Sequence, residues 1–151
     1  MSVCYICLKK YQMQNIHHSL FHIIICSTGK QKFLTRVNQD ILYNYITSVL
    51  YQKTCVPISV TGHSNHIHLF IELSVDISVA QIVREILQNT MDFIRREKSV
   101  FPEFNGWEKH FLAISYHPSQ KSDLLSLLKK QFDYHRTTSF EEELSELTVF
   151  S

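Results

Sequence analysis

Residues Gly62 to Leu73 read "GHSNHIHLFIEL", and this stretch decides the fold. Side chains in a strand point alternately to opposite faces, so Ile67, Leu69, Ile71 and Leu73 form an unbroken apolar face. The opposite face presents His66, His68, Phe70 and Glu72. Residues two apart on one face stand roughly 7 Å apart at the backbone, which lets both imidazoles reach a single metal ion. The same pattern also suits two core histidines satisfied by hydrogen bonds.

Working outward, "VPISVTG" (Val56 to Gly62) is β-rich, and the short "TGHSN" connection makes it the antiparallel hairpin partner of the histidine strand. "SLFHIIICSTG" (Ser19 to Gly29) reads as a first strand, with His17, His18 and His22 at strand-edge or surface positions. "NQDILYNYITSVLYQ" (Asn38 to Gln52) has helical spacing behind an Asn38 cap. A longer helix runs from about Val79 to Glu97, with Ile82 and Ile86 on its core stripe. "FPEFNGW" is a loop carrying a core Trp107, and "HFLAISYH" (His110 to His117) is a fourth strand ended by Pro118. A helix from about Ser122 to His135 follows. "SFEEEL" opens a last one with Ser139 and Glu142 at capping-box spacing. The order strand, helix, strand, strand, helix, strand, helix, helix predicts an α+β fold: a ferredoxin-like four-stranded antiparallel sheet covered by helices. Residues 1–14 precede this plan as an N-terminal extension, and 15–151 form one domain.

Composition bounds the function. With 151 residues, 44% apolar and 19% charged, the chain has room for one real core. No apolar run approaches the ~20 residues that cross a bilayer, and the first residues lack a secretory signal pattern, so a cytoplasmic protein without membrane association is expected. The four cysteines, Cys4, Cys7, Cys26 and Cys55, do not form a disulfide framework at this length. A net charge of +1 lacks the strongly basic footprint common in nucleic-acid binders, and the groups "GKQK", "RREK" and "KK" read as solvated faces. Composition assigns no nucleic-acid-binding residue.

Two imidazoles leave most coordination positions of a metal open, so a third donor has to come from an element packed over their face. The helix "DLLSLLKKQFDYH" (Asp123 to His135) offers Gln131, one turn beyond Leu127 on a stripe with Leu124, Leu125, Leu128 and Phe132. Packing alone does not explain a glutamine there. His135, a turn further on, reads as a helix-end charge, with fourth ligand or phosphate contact as alternatives. His63 reads as a turn residue.

"NHIHLFIEL", a following helix, a Trp-bearing loop, "AISY", and a helix ending in Gln131 and His135 before "SFEEEL" resemble the single-tyrosine HUH transposases of the smallest bacterial insertion sequences. The resemblance spans Ile16 to Leu147. It implies a divalent metal, Mg²⁺ or Mn²⁺ in function, held by His66, His68 and Gln131, the last on a C-terminal helix. It also implies single-stranded or hairpin DNA as partner, a homodimer, and metal-dependent strand cleavage and transfer in DNA transposition. In that family the ion polarises a DNA phosphate, and a tyrosine one helical turn before the glutamine attacks it to give a covalent 5′-phosphotyrosine. Imidazole and amide ligands suit Zn²⁺ at least as well as Mg²⁺ or Mn²⁺.

The position four before Gln131 is Leu127, which has no nucleophilic atom. Glycines that the family often carries before the fourth strand are also missing, near His110 and Leu112. Tyr134 is the candidate substitute nucleophile. It lies two turns past Leu127, near the same face of a continuous helix but roughly 10 Å along its axis, far beyond the ~3 to 3.5 Å of in-line attack. A cleavage-defective transposase, a repurposed non-catalytic DNA-binding or dimerisation module, and a hydrolase using metal-activated water all fit at this point.

Overall fold

The alternation over Gly62 to Leu73 is realised as a hairpin. In the computed structural model, which describes residues 17–149, β2 (Val56–His63) pairs antiparallel with β3 (His66–Glu72) across a Ser64-Asn65 turn. The 1–14 extension, with Cys4 and Cys7, lies outside the described residues. Gly62 is needed where it sits: a Cβ there would run into the His66 carbonyl oxygen, so any side chain would push the hairpin apart.

β1 (Leu20–Cys26) inserts between β3 and β4 (Leu112–Tyr116), and the sheet order is β2-β3-β1-β4, antiparallel throughout. This is the ferredoxin-like α+β arrangement read from the sequence. β4 starts two residues later than expected, because Trp107 and Glu108 take over the pairing with the end of β1: Ser27 bridges Trp107, and the Glu108 N–H donates to the Cys26 carbonyl at 2.9 Å.

α1 (Gln39–Gln52) and α2 (Val79–Arg96) cover one face of the sheet. Ile23 and Ile25 of β1 meet Ile67, Leu69 and Ile71 of β3 there, all but inaccessible to water, against Leu42 and Ile46 of α1 and Ile82 and Ile86 of α2. Each such aliphatic side chain contributes about 1.5 to 3 kcal/mol by leaving water. α2 opens on a full capping box: Ser78 Oγ accepts from the Gln81 N–H at 3.2 Å, and Gln81 Oε1 accepts from the Ser78 N–H at 2.9 Å. Asn38 precedes α1 but does not cap it with its side chain. Its amide instead donates to the carbonyls of Phe33 and Val100, each at 3.0 Å, tying two loops together. Trp107 is core, as read, with its indole N–H donating to Thr90 Oγ1 at 2.9 Å.

The opposite face is smaller and mixed. Leu20 and Phe70 pack against Leu124 and Leu128. The single helix expected from about Ser122 to His135 is two helices, α3 (Lys121–Leu128) and α4 (Gln131–Tyr134). Lys129 and Lys130 form the joint, where the Lys130 N–H bonds to the carbonyl three residues back at 3.0 Å, a tightened last turn. The stripe expected for one helix is therefore split. Leu127 is 64% exposed and Phe132 52%, whereas Gln131 is 6% exposed and faces the sheet. α5 (Phe140–Thr148) lies over the same face, opened by the Ser139–Glu142 capping box.

Candidate metal centre

His66 and His68 are wholly buried beneath α4 and α5. Each has its outer ring nitrogen engaged. His66 Nδ1 meets Asn65 Oδ1 at 2.8 Å, which fixes Nδ1 as the protonated nitrogen and turns the bare Nε2 inward. His68 Nδ1 meets His22 Nε2 at 2.8 Å, with the two rings stacked. When His68 donates in that pair, its Nε2 is also a free lone pair, and His22 sets the tautomer. His22 is thus neither at a strand edge nor on the surface: it is 2% exposed, on the β1 face beside His68.

α4 and α5 bring three further groups over these nitrogens. His135, at the end of α4, donates from Nδ1 to the Thr138 carbonyl at 3.0 Å, so its Nε2 is unprotonated in the neutral ring. Glu143 projects from α5 into the middle: its carboxylate oxygens lie 3.2 Å from His135 Nε2, 3.5 Å from His68 Nε2 and 3.6 Å from His66 Nε2. Gln131 Nε2 donates to Glu143 Oε1 at 2.9 Å. Phe140 stacks flat on the His66 ring at 4.1 Å, seating the start of α5 against β3. His63, at the end of β2, sits with its ring 4.8 Å from that of His135.

Electrostatics follow from burial. Desolvation drives His66 down to about 2 and His22 down to about 3, with His68 pushing each in the same direction, so both rings are neutral. Burial pushes the Glu143 carboxyl up, but its close contacts with His135 and His68, with the amide hydrogen bond from Gln131, outweigh burial and hold the group well below the usual carboxylate range. Burial lowers His135, yet its contacts with Glu143 and the Thr138 carbonyl leave it raised.

Five buried atoms here have no hydrogen-bond partner: Nε2 of His66, His68 and His135, Oε1 of Gln131 and Oε2 of Glu143. The His135–Glu143 separation is short enough for a hydrogen bond but misaligned for one. An unpaired buried acceptor costs roughly 1 to 3 kcal/mol, so such a concentration of them is unstable unless something positive is shared among them. His66, His68, His135 and Glu143 offer ligand atoms all within 4.8 Å of one another, a group that could hold a metal ion. The sequence pointed to His66, His68 and Gln131, and all three are at this place. It missed Glu143, which reads as one of three solvated acids opening a helix. It also missed His22, which would have needed the β1–β3 register.

The two candidate attacking positions lie at one side. Leu127 and Tyr134 both line a cavity of about 130 Å³ whose wall also includes Gln131 and Glu143. The Tyr134 hydroxyl donates to Glu146 Oε2 at 2.7 Å, and burial together with that carboxylate pushes its phenol up to about 12, away from the phenolate form.

The sequence profile described as IS200-like transposases matches residues 15–130. The chain belongs to that family. The match stops one residue before Gln131, so three of the groups facing the centre, Gln131, His135 and Glu143, lie beyond it. No curated protein matches the chain in sequence. Among solved structures, a protein assigned as a transposase from Deinococcus radiodurans R1 superposes with a TM-score of 0.59 at 14% identity, covering 82% of this chain and 98% of its own. A REP-associated tyrosine transposase bound to a REP hairpin superposes with a TM-score of 0.53 at 14% identity, covering 80% of this chain and 68% of its own. At such identities the likeness of this IS200-like chain to both is one of fold. Among the described residues, no helix is long and apolar enough to cross a membrane.

Proposed function

We propose that this IS200-like chain binds folded single-stranded DNA, of the hairpin-bearing kind, as a homodimer, with a divalent ion held by His66, His68 and Gln131. In this reading strand cleavage is lost or severely impaired. The observation that carries it is Leu127, which lines the cavity beside Gln131 and Glu143 at the family's nucleophile position but presents only methyl groups. In a cleaving member of the family a bound ion would polarise a phosphodiester and stabilise the charge that builds on attack; with no nucleophile at position 127 that role has no use in this chain. The chain's own part is to present the phosphate and supply a nucleophile, and the second component is missing. Tyr134 is the proposed route for any residual cleavage. Its hydrogen bond to Glu146 and its raised phenol make that route slow.

Support for the DNA partner comes from a groove of about 410 Å³ next to the centre, lined by Arg36, Gln39, Tyr43, Thr61, Lys129 and Phe132. Arg36 stacks 4.5 Å over the Phe132 ring, and the buried Tyr43 hydroxyl has no partner. No carboxylate lines the groove, so two cations and an idle hydroxyl face one space that suits a phosphate, with Phe132 beside it for an unpaired base. The near-neutral chain thus places two positive groups at this groove.

Purified protein is expected to prefer hairpin-bearing single strands over random duplex at moderate salt, and to sediment as a dimer. Equal affinity for both DNAs would sink the reading. Unmodified protein is expected to form no covalent adduct with Mn²⁺ or Mg²⁺, whereas Leu127→Tyr forms one. Robust adduct by the unmodified chain, mapped to Tyr134, would overturn the loss of cleavage. The second reading, a repurposed dimerisation module without DNA handling, is favoured by the same Leu127. It predicts no measurable DNA affinity and no change on Arg36→Ala or Lys129→Ala.

A further inference from the structure

We propose that His135 and Glu143 join His66 and His68 as ligands, with Gln131 orienting Glu143 in place of binding the ion, so that the centre is a three-histidine, one-carboxylate site for a Zn²⁺-class ion that clamps the C-terminal helices onto the sheet. This rests on the reading that the centre holds a divalent ion, and adds which ion it prefers and what the ion does. Four observations support it.

The donors come first. Three imidazole nitrogens and one carboxylate form a set that favours zinc and its neighbours, whereas Mg²⁺ prefers oxygen ligands and retains several waters. Distances come next. Metal–ligand bonds of about 2.1 Å in a tetrahedron place ligand atoms about 3.4 Å apart, against about 2.9 Å for neighbours around octahedral Mg²⁺. Glu143 Oε2 lies 3.2 Å from His135 Nε2 and 3.6 Å from His66 Nε2, on the tetrahedral scale, while His68 Nε2 stands 3.5 Å from Oε1, the oxygen that Gln131 holds. The full set spreads up to 4.8 Å, and an ion would draw its widest pair inward.

Outer partners are the third observation. Each histidine has its Nδ1 committed, to Asn65, to His22 and to the Thr138 carbonyl, while Gln131 holds the other oxygen of Glu143. Metal-binding histidines are oriented in this way, by a hydrogen bond on the nitrogen away from the ion. The fourth is topology. His66 and His68 belong to β3, His135 ends α4, and Glu143 lies one turn into α5, so a shared ion ties three elements that otherwise meet through few apolar contacts. A shell filled by protein atoms leaves little room for a DNA phosphate, which accords with the leucine at position 127. The ion here is structural.

The test uses the full chain stripped with a chelator and then titrated with Zn²⁺, Mn²⁺ or Co²⁺. One Zn²⁺ per chain is expected, bound far more tightly than Mn²⁺, with the intense visible absorption of a four- or five-coordinate site when Co²⁺ is used. Glu143→Gln, nearly the same shape, and His135→Ala are each expected to weaken Zn²⁺ by more than the roughly 10- to 100-fold that loss of an outer partner costs. Zn²⁺ is expected to slow amide exchange in α5 of the unmodified chain but not of Glu143→Gln. Zn²⁺ binding lost on His66→Ala but unchanged in both Glu143→Gln and His135→Ala, or a weak six-coordinate Co²⁺ spectrum, would overturn this inference and leave the smaller ligand set standing. Failure of the unmodified chain to bind any of the three ions would overturn the ion itself.

Discussion

The two faces of β3 are built from alternate residues of one seven-residue strand and obey different physics. Ile67, Leu69 and Ile71 enter a face closed by α1 and α2, where the groups they touch are overwhelmingly apolar and the buried polar pair, Trp107 and Thr90, is hydrogen-bonded. His66 and His68 enter a face closed by α4 and α5, where more lone pairs converge than the Gln131 amide can satisfy. Burial is complete on both, so burial does not separate scaffold from site. Polar satisfaction does. The first face contributes stability through area removed from water, and the second spends stability to hold donors together in the absence of an ion.

The largest expected effect is on the apolar face. Leu69→Ala leaves a cavity among closed aliphatic neighbours and is expected to cost about 2 to 5 kcal/mol by denaturant unfolding, equally with and without Zn²⁺ or Mn²⁺. A cost that shrank on adding metal would mean that the two faces are energetically coupled.

Acid attacks the other face. His66 and His22 are held down to about 2 and about 3 in the folded chain, against about 6.5 when unfolded. As pH falls below about 6.5 the unfolded chain takes up protons that the folded one refuses, so stability falls with pH in that window. Each histidine accounts for about 1.4 kcal/mol per pH unit, or about 2 kcal/mol between pH 6.5 and 5. His135, raised when folded, contributes stability that is already complete below its unfolded value, and Glu143 loses its contribution only below the carboxylate range, so neither alters this window. Chelated protein is expected to show this acid loss, and His22→Phe to remove about 2 kcal/mol of it. A pH-independent unfolding curve from 6.5 to 5 would contradict the burial of neutral imidazoles.

The fold was legible because its signals are local. Alternation over Ile67 to Leu73, a short turn and two amphipathic helices leave few alternative topologies. The break at Lys129 and Lys130 was not legible, since neither residue is a helix breaker. The joint comes from tertiary demand: it turns Gln131 onto the histidines while Leu124 and Leu128 stay on the sheet. His66, His68 and Gln131 stood out as polar residues in apolar stripes. Glu143 did not, because a third acid in the first turn of a helix is what the helix dipole and the Ser139 cap already account for. The signal that could have found it is its spacing three residues after Phe140, a carboxylate beginning the stripe that continues with Leu144 and Leu147.

The smallest expected effects sharpen the contrast with one hydrogen bond on each side. Ser139→Ala removes the cap of α5 and is expected to cost about 1 kcal/mol. Because α5 carries Glu143, fraying its first turn also loosens a ligand, so the cost should appear again as weaker Zn²⁺ binding by isothermal titration. Trp107→Phe removes the indole bond to Thr90 on the apolar side and is expected to cost about 1 kcal/mol as well. Thr90 keeps its own donation to the Ile86 carbonyl, so no buried donor is stranded. That loss should be identical at pH 7 and pH 5 and with or without metal, because the bond joins two neutral groups on the face away from the centre. Equal stability costs with unequal metal dependence would separate the two faces of one strand by their function. If Trp107→Phe also weakened Zn²⁺, the apolar face would be part of the site.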